Sequence, residues 1–267
     1  MFTKKSLGQH WLRSESARAA IIKAAKLSPI DVVLEIGPGE GFLTEALLAT
    51  GAKVVAVEKD ARLIAPLTAK FQSAIAIGQL ELIPGDILNL KPKTYNPRLA
   101  VGQVKPSNWK LIASIPYYLT GAILKKFLAG ANQPSRAVLL LQKEVVRRIV
   151  ARDGRESILS ISVKAFGQPK QIKTVPAGAF APAPKVDSTI LLIENISRRN
   201  FAEPESERQF FAVLKRGFAH KRKLLRRNLD CEAVRRGGLI AAGIAPNARA
   251  ENVTLEQWLR LSRKFYF

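Results

Sequence analysis

The sequence predicts an α/β domain with a mainly parallel sheet, followed by a small all-α C-terminal domain. Up to residue 194, short apolar runs rich in β-branched residues alternate with stretches of helical spacing, which is typical of strand–helix–strand units. After residue 194 only helical patterns follow. We therefore predict an N-terminal basic arm over residues 1–14, an α/β domain over 15–197 and a helical domain over 198–267.

The predicted elements follow this alternation in order. Compact apolar runs indicate buried strands at residues 31–36, 53–57, 80–83, 110–113 and 137–142, with further extended stretches near 171–175 and 188–193. Helical spacing predicts helices at residues 14–26, 42–49, 61–71, 120–128 and 143–151. In the C-terminal part, helices are predicted at residues 205–218, 221–228, 231–237 and 254–265.

The charge balance indicates a polyanionic partner. The chain has 43 Lys and Arg against 21 Asp and Glu, a formal net charge of +22. Hydrophobic residues make up 47%, which is enough for a sizeable core and excludes a disordered chain. A surface this basic favours nucleic acid over an anionic membrane. The basic run over residues 215–227 contains no acid, and phosphate contacts are predicted for Lys221, Arg222, Lys223, Arg226 and Arg227.

Several other classes are excluded by composition. Cys231 is the one cysteine, so neither an internal disulfide nor a cysteine-pair zinc site is expected. With only His10 and His220, a histidine-rich metal site is not expected, and no metal is predicted. The apolar runs are far shorter than the roughly 20 residues of a membrane helix, and the N-terminus lacks the apolar core of a secretory signal. We predict a cytoplasmic, monomeric protein with no membrane partner.

The turn after the first predicted strand carries a glycine motif. Glu35-Ile-Gly37-Pro-Gly39-Glu-Gly41 has the pattern E-x-G-x-G-x-G, which is typical of methyltransferases that use S-adenosylmethionine (SAM). Glycines at such a turn let the backbone approach a nucleotide-like ligand at a helix N-terminus. A dinucleotide fingerprint would need glycine where Phe42 stands.

Acidic residues follow the next two predicted strands, at the edge where open α/β sheets bind ligands. Glu58 follows the second strand and is suited to accept hydrogen bonds from both ribose hydroxyls. Asp86 follows the third, where a carboxylate can accept from the exocyclic amine of adenine while Ile87 packs on the ring.

The fourth predicted strand ends in Ser114-Ile-Pro116-Tyr117, a signature similar to that of methyltransferases acting on the exocyclic amines of bases. Such an amine is a poor nucleophile because its lone pair is delocalised into the ring. A side-chain oxygen and a backbone carbonyl that accept its two N–H groups would favour the tetrahedral amine. Tyr117 would stack on an extruded base, and Phe180, presented by a proline-rich loop, is suited to form a second stacking wall.

Together these motifs resemble KsgA-type 16S ribosomal RNA adenine N6,N6-dimethyltransferases. The resemblance extends over nearly the whole chain and is carried in order by KKSLGQHWL, EIGPGEG, VEKD, GDIL, SIPYYLTG, LQKEVVRRI and FAPAPKVDS. It implies a Rossmann-like SAM domain, a helical C-terminal domain, and dimethylation of two adjacent adenines near the 3′ end of small-subunit rRNA. It also implies SAM contacts from His10, Leu12, Gly37, Gly39, Glu58, Asp86, Ile87 and Ser114, with Ser114, Pro116, Tyr117 and Phe180 at the target adenine.

Three positions depart from the family pattern. Residue 114 is usually asparagine in this family, residue 10 is often asparagine, and Trp11 replaces the usual phenylalanine. Ser114 keeps an oxygen acceptor but is shorter and lacks the amide donor. Two alternatives stay open. A 23S rRNA adenine methyltransferase of the antibiotic-resistance type shares the core motifs, although the KKSLGQ arm and the PAPKVDS run favour the small-subunit type. Ser114 keeps open a weakly catalytic ribosome-assembly factor that retains the fold.

Overall fold

A computed structural model describes residues 9–90, 109–115, 119–201, 203–230, 234 and 237–264. The chain divides into two compact units. The first comprises Met1–Val146 with Lys170–Ile196, and the second comprises Arg147–Pro169 with Ser197–Phe267.

The largest difference from the sequence-based boundaries is one internal segment, while the predicted N-terminal arm falls in the first unit and Ser197 in the second. Residues 147–169 were predicted within the α/β domain, but they cluster with the C-terminal unit. The reason is aromatic packing: the ring centroid of Phe166 lies 5.3 Å from that of Phe201 and 6.1 Å from that of Phe211. These apolar side chains share one core although they are distant in sequence.

The first unit is built on a seven-stranded sheet of order β4-β3-β2-β5-β6-β9-β7. Strand β2 pairs in parallel with both β3 and β5, and β3 with β4, whereas β6 and β9 are antiparallel. The carboxyl ends of β2, β3, β4 and β5 therefore share one edge. The strands of this sheet are β2 Val32–Ile36, β3 Lys53–Glu58, β4 Leu80–Pro84, β5 Trp109–Ser114, β6 Arg136–Gln142, β7 Gln168–Val175 and β9 Ser188–Glu194.

Helices alternate with most of these strands along the chain, as the sequence predicts. In chain order they are α1 Glu15–Ala25, α2 Phe42–Leu48, α3 Ala61–Lys70, α4 Gln72–Ala76, α5 Thr120–Leu128, α6 Lys143–Val150 and α7 Ile158–Lys164. Helices α4 and α7 were not predicted, since each is short. Every residue of β2 is buried, as expected for a central parallel strand whose faces are both covered.

A two-stranded antiparallel ribbon joins the N-terminal segment to the proline-rich loop. Strand β1 (Trp11–Leu12) pairs with β8 (Phe180–Ala181), with Trp11 opposite Ala181 and Leu12 opposite Phe180. The sequence predicted an arm and a loop here. The ribbon was missed because each strand has two residues and the partners are about 170 positions apart.

In the described part of the second unit, the regular elements apart from the end of β7 are helical. Besides α7 and the end of α6, they include α8 Pro204–Gly217, α9 Leu225–Leu229, α10 Gly238–Ala241 and α11 Leu255–Ser262. The helix predicted at 221–228 begins later, at Leu225. The Asn228 side chain explains this, because its Nδ2 donates to the carbonyls of Gly217 and His220 at 2.6 and 3.1 Å and holds the chain in a turn before α9. Most of the helix predicted at 231–237 lies outside the described residues.

Trp258 belongs to the core of this unit. It is fully buried on α11, and its ring stacks on that of Phe218 with the centroids 5.6 Å apart. In the part of the chain that the structure describes, no helix has the length and apolar character needed to cross a bilayer.

Candidate active site

A cleft in the first unit lies at the carboxyl ends of the parallel strands. It is lined by residues from the N-terminal segment, the glycine turn, the ends of β3, β4 and β5, and the β1–β8 ribbon. The structure thus brings together nine of the residues predicted from the sequence: His10, Leu12, Gly37, Gly39, Glu58, Asp86, Ile87, Ser114 and Phe180. Pro116 and Tyr117, the other two predicted for the target adenine, lie outside the described residues.

The glycine turn between β2 and α2 requires glycine for two reasons. Gly37, Gly39 and Gly41 have φ values of +72°, +60° and +78°, a region that other residues rarely adopt. A Cβ on Gly41 would also lie 2.5 Å from the Phe71 ring. The turn therefore keeps the backbone open to the cleft and close to helix α3.

Glu58, the last residue of β3, is held in place by backbone amides. Its Oε2 accepts from the Gly39 amide at 3.1 Å and its Oε1 from the Asp60 amide at 2.7 Å. Burial raises the pKa of this carboxyl, while the backbone hydrogen bonds from Asp60 and Gly39 act to lower it. Each carboxylate oxygen has two lone pairs, so Glu58 retains the capacity to accept from a ligand hydroxyl.

Asp86 follows β4 and lies in an ion pair. The Lys59 Nζ is 2.9 Å from Asp86 Oδ2, and the Leu88 amide donates to Oδ1 at 3.0 Å. Burial acts to raise the pKa of Asp86, but the hydrogen bonds from Lys59 and Leu88 and the charges of Lys59 and Lys126 lower it on balance. Asp86 is therefore an ionised acceptor at neutral pH.

Glu35 also lines the cleft, and the sequence reasoning did not assign it a role. The residue is 1% exposed, and its Oε2 accepts from Thr44 Oγ1 at 2.7 Å. Burial raises the pKa of Glu35 to about 8, opposed by the Thr44 hydrogen bond and reinforced by the charge of Glu58. The sequence could have indicated this residue, since Glu35 is the acid of the E-x-G-x-G-x-G pattern.

The N-terminal segment is fastened across the cleft at several points. The Gln9 side chain donates to Asp60 Oδ2 at 2.8 Å, and Arg13 forms an ion pair with Glu40. His10 Nδ1 lies 2.8 Å from the Pro182 carbonyl oxygen, which can only accept, so this ring nitrogen carries the proton. The same segment thereby contacts the glycine turn, helix α3 and the loop of Phe180.

Ser114 and Phe180, which are predicted to contact the target adenine, both line the cleft. Ser114 ends β5, and its carbonyl oxygen is 3.7 Å from where a Cβ on Gly37 would be. Phe180 is 7% exposed and lines the same cleft. The predicted cofactor turn and the predicted base-binding residues therefore adjoin one another.

The basic run lies in the second unit and faces solvent. Its cationic side chains are all exposed: Lys215, Arg216, Lys221, Arg222, Lys223, Arg226 and Arg227. Leu225, Asn228 and Leu229 from the same stretch are buried. Among the residues that the structure describes, no group of three His, Cys, Asp or Glu side chains could hold a metal ion.

The sheet order, the glycine turn and the cleft above it define a Rossmann-like methyltransferase. Two solved structures share this fold over most of their length. The 23S rRNA methyltransferase ErmE is 27% identical, with a TM-score of 0.75 over 95% of this chain and 98% of its own. A dimethyladenosine transferase from Plasmodium falciparum is 26% identical, with a TM-score of 0.75 over 94% and 96%.

The family model for ribosomal RNA adenine dimethylases matches residues 2–266, and the chain belongs to this family. Relatives named ribosomal RNA small subunit methyltransferase A match it nearly end to end. The protein of Dehalococcoides mccartyi strain BAV1 is 39% identical, covering 98% of this chain and 88% of the relative. That of Thermosynechococcus vestitus is 40% identical, covering 97% and 95%.

Proposed function

We propose that this protein transfers methyl groups from SAM to the N6 amines of two adjacent adenines near the 3′ end of 16S rRNA, giving N6,N6-dimethyladenine during assembly of the small ribosomal subunit. The observation that carries the proposal is the convergence of Glu58, Asp86 and Ser114 in one cleft of a chain that belongs to the rRNA adenine dimethylase family.

The side chains of the cleft fit SAM. Glu58, anchored by two backbone amides, would accept from the ribose hydroxyls. Asp86, ionised beside Lys59, would accept from the adenine amine, and the buried Ile87 would pack on the ring. When bound, SAM supplies a methyl group on a positively charged sulfur. The acidic groups of the lining, which include Glu40, Glu58 and Asp86, suit a ligand of that charge.

The target amine would be oriented by the residues at the end of β5. Ser114 Oγ would accept one N–H group and a backbone carbonyl the other, which favours a tetrahedral nitrogen with its lone pair toward the glycine turn. Phe180 and Tyr117 would stack on the extruded base. These interactions form fully only as the amine becomes nucleophilic, so they lower the barrier more than they strengthen substrate binding.

The small-subunit substrate is favoured over the 23S alternative by the relatives. Those at 36–40% identity are named small subunit methyltransferases, whereas the 23S enzyme ErmE is 27% identical.

The rRNA would be bound within the small subunit or its precursor, with the exposed basic run contacting phosphates. We propose a cytoplasmic monomer, and light scattering of the purified protein tests the monomeric state against the chain mass of 29.4 kDa.

The test is methyl transfer from labelled SAM to purified ribosomal subunits that lack the modification. We expect label in 16S rRNA of the small subunit and none in 23S rRNA. The Glu58→Ala variant, which lacks the proposed ribose acceptor, serves as the control for contaminating activity.

The same assay separates the alternatives. Label in 23S rRNA alone would support the antibiotic-resistance type of enzyme. Stable binding to the small subunit with little or no label in either rRNA would support the weakly catalytic ribosome-assembly factor that retains the fold.

A further inference from the structure

Lys126 connects the two sides of the cleft, although it does not line it. It lies on helix α5, which begins six residues after Ser114. Its Nζ donates to the carbonyl oxygens of Ile87, Leu88 and Leu90 at 2.6, 3.2 and 3.0 Å. The helix that follows the predicted target-base residues is thereby bonded to the turn that carries the predicted adenine acceptor.

The three carbonyls belong to one helical turn, residues 86–90. The Asn89 and Leu90 amides donate to the Asp86 carbonyl at 2.9 and 3.0 Å, and the Leu88 amide donates to Asp86 Oδ1 at 3.0 Å. Asp86 therefore caps the beginning of the turn, and the Lys126 ammonium binds the carbonyls at its end. A carboxylate at the first end and a cation at the second are the charges that stabilise a helical turn.

The ammonium group of Lys126 is partly buried, so burial lowers its pKa, against the opposing effect of the Asp86 charge. A partly buried cation is unfavourable unless it is hydrogen-bonded. The three carbonyl acceptors supply that compensation. The neighbouring Lys125 is exposed on the same helix and provides a matched comparison.

We propose that Lys126 is a positioning residue for cofactor recognition. By fixing the turn 86–90, it keeps the Asp86 carboxylate directed at the exocyclic amine of the cofactor's adenine, and so sets the preference for a 6-aminopurine. This inference rests on the proposed function, because it takes Asp86 as the acceptor for the adenine amine.

The test compares the affinities of two ligands, S-adenosylhomocysteine and its hypoxanthine analogue S-inosylhomocysteine. The analogue has a carbonyl where adenine has the amine, so its position 6 has no N–H group to donate to Asp86. Calorimetry on the full-length protein would give both dissociation constants for the parent, Lys126→Met, Lys126→Arg and the control Lys125→Met. Methionine keeps the apolar stem of lysine and removes its charge and donors.

We expect the parent to prefer the adenine ligand. Lys126→Met should weaken binding of the adenine ligand by about 10-fold, the scale of a hydrogen bond to a charged group. The affinity for the analogue should stay nearly unchanged. The preference ratio should fall by the same factor. Lys126→Arg should restore most of the preference, and Lys125→Met should match the parent.

A Lys126→Met protein with the parental preference ratio overturns the proposal, even if both affinities fall, because a general loss of structure weakens both ligands alike. If this variant fails to fold, Lys126→Gln, which keeps N–H donors without the charge, must show an intermediate ratio for the proposal to stand. A parent protein that binds neither ligand contradicts the proposed function instead.

Discussion

The pKa values of three carboxyl groups in the cleft are shifted to different extents because their surroundings differ. Asp86, paired with Lys59, has a lowered pKa and is ionised. Glu58 is buried but bonded to two backbone amides, which oppose the rise in its pKa. Glu35 is buried with a hydroxyl partner, and its pKa of about 8 keeps it protonated at neutral pH. Residues of one chemical type are thus suited to different roles by burial and hydrogen bonding.

Removal of the Glu58 carboxylate tests its role as the ribose acceptor. Glu58→Ala should weaken SAM binding by about 1.5–3 kcal/mol, the scale of hydrogen bonds to a charged group. Isothermal calorimetry measures this directly. Glu81→Ala on β4 is the matched control, since Glu81 is exposed and does not line the cleft. Equal affinities for the two variants would remove Glu58 from the cofactor site.

Glu35 predicts a pH dependence of stability. Its pKa is 4.5 for a free side chain and about 8 in the folded protein. Between these values the folded state binds the extra proton, so the contribution of Glu35 makes the free energy of unfolding fall as pH rises, until about pH 8. The Glu35→Gln variant is neutral throughout and lacks this contribution. Urea unfolding of both proteins across this range should show the parent losing stability relative to the variant, and parallel curves would contradict the assignment.

At the scale of elements, the cleft depends on the contact between the glycine turn and strand β1. A Cβ on Gly39 would lie 3.1 Å from Trp11 Cδ1, so this turn and the N-terminal segment pack directly on each other. The β1–β8 ribbon connects this segment to Phe180, because Leu12 pairs with Phe180. A change in the turn is therefore expected to affect both the cofactor side and the target side.

Gly39→Ala should destabilise the first unit and weaken SAM binding. A positive φ costs an alanine about 1–2 kcal/mol, and the contact with Trp11 adds to this. Gly78→Ala is the control, because Gly78 has φ +71° with no atom within 4 Å of the added Cβ. We expect chemical unfolding to show a larger loss of stability for Gly39→Ala, and calorimetry to show weaker SAM binding for that variant alone. Equal effects of the two changes would mean that the Trp11 contact is unimportant.

The strands and the glycine turn were predictable from the sequence because their signals are local. The apolar runs at 31–36 and 53–57 and the spacing of Gly37, Gly39 and Gly41 determine the first part of the sheet and the position of the turn. The β1–β8 ribbon, the grouping of residues 147–169 with the C-terminal unit and the bonds of Lys126 were not predictable. Each joins segments far apart in the chain, and no local pattern specifies such partners.

At the scale of the whole molecule, the two units carry different parts of the proposed function. The cleft lies within the first unit, and the exposed basic run lies in the second. Phosphate contacts supply affinity and orientation but little sequence information. The net charge of +22 is therefore expected to act on RNA affinity and its salt dependence rather than on the methyl-transfer step.

Replacing Arg222, Lys223, Arg226 and Arg227 by alanine should weaken RNA binding and flatten the dependence of log K on log salt. The slope should change by up to about 0.7–0.9 for each RNA phosphate that the variant no longer neutralises, and SAM affinity should stay the same. Lys23→Ala/Lys125→Ala, which removes two exposed charges from the first unit, is the control. If each removed charge changes the slope equally in both variants, the basic run has no special role.

The most direct test of the proposed methyl transfer is mass analysis of the 16S rRNA 3′ fragment during incubation of small subunits with SAM. We expect the parent to form two adjacent N6,N6-dimethyladenines. Ser114→Ala should slow their formation by about 10–100-fold, since one hydrogen bond made mainly in the transition state contributes roughly 1.4–3 kcal/mol, while SAM binding stays nearly intact. A parent protein that leaves the fragment unmodified or forms only monomethyladenine would contradict the account, and a Ser114→Ala variant as fast as the parent would remove Ser114 from the reaction.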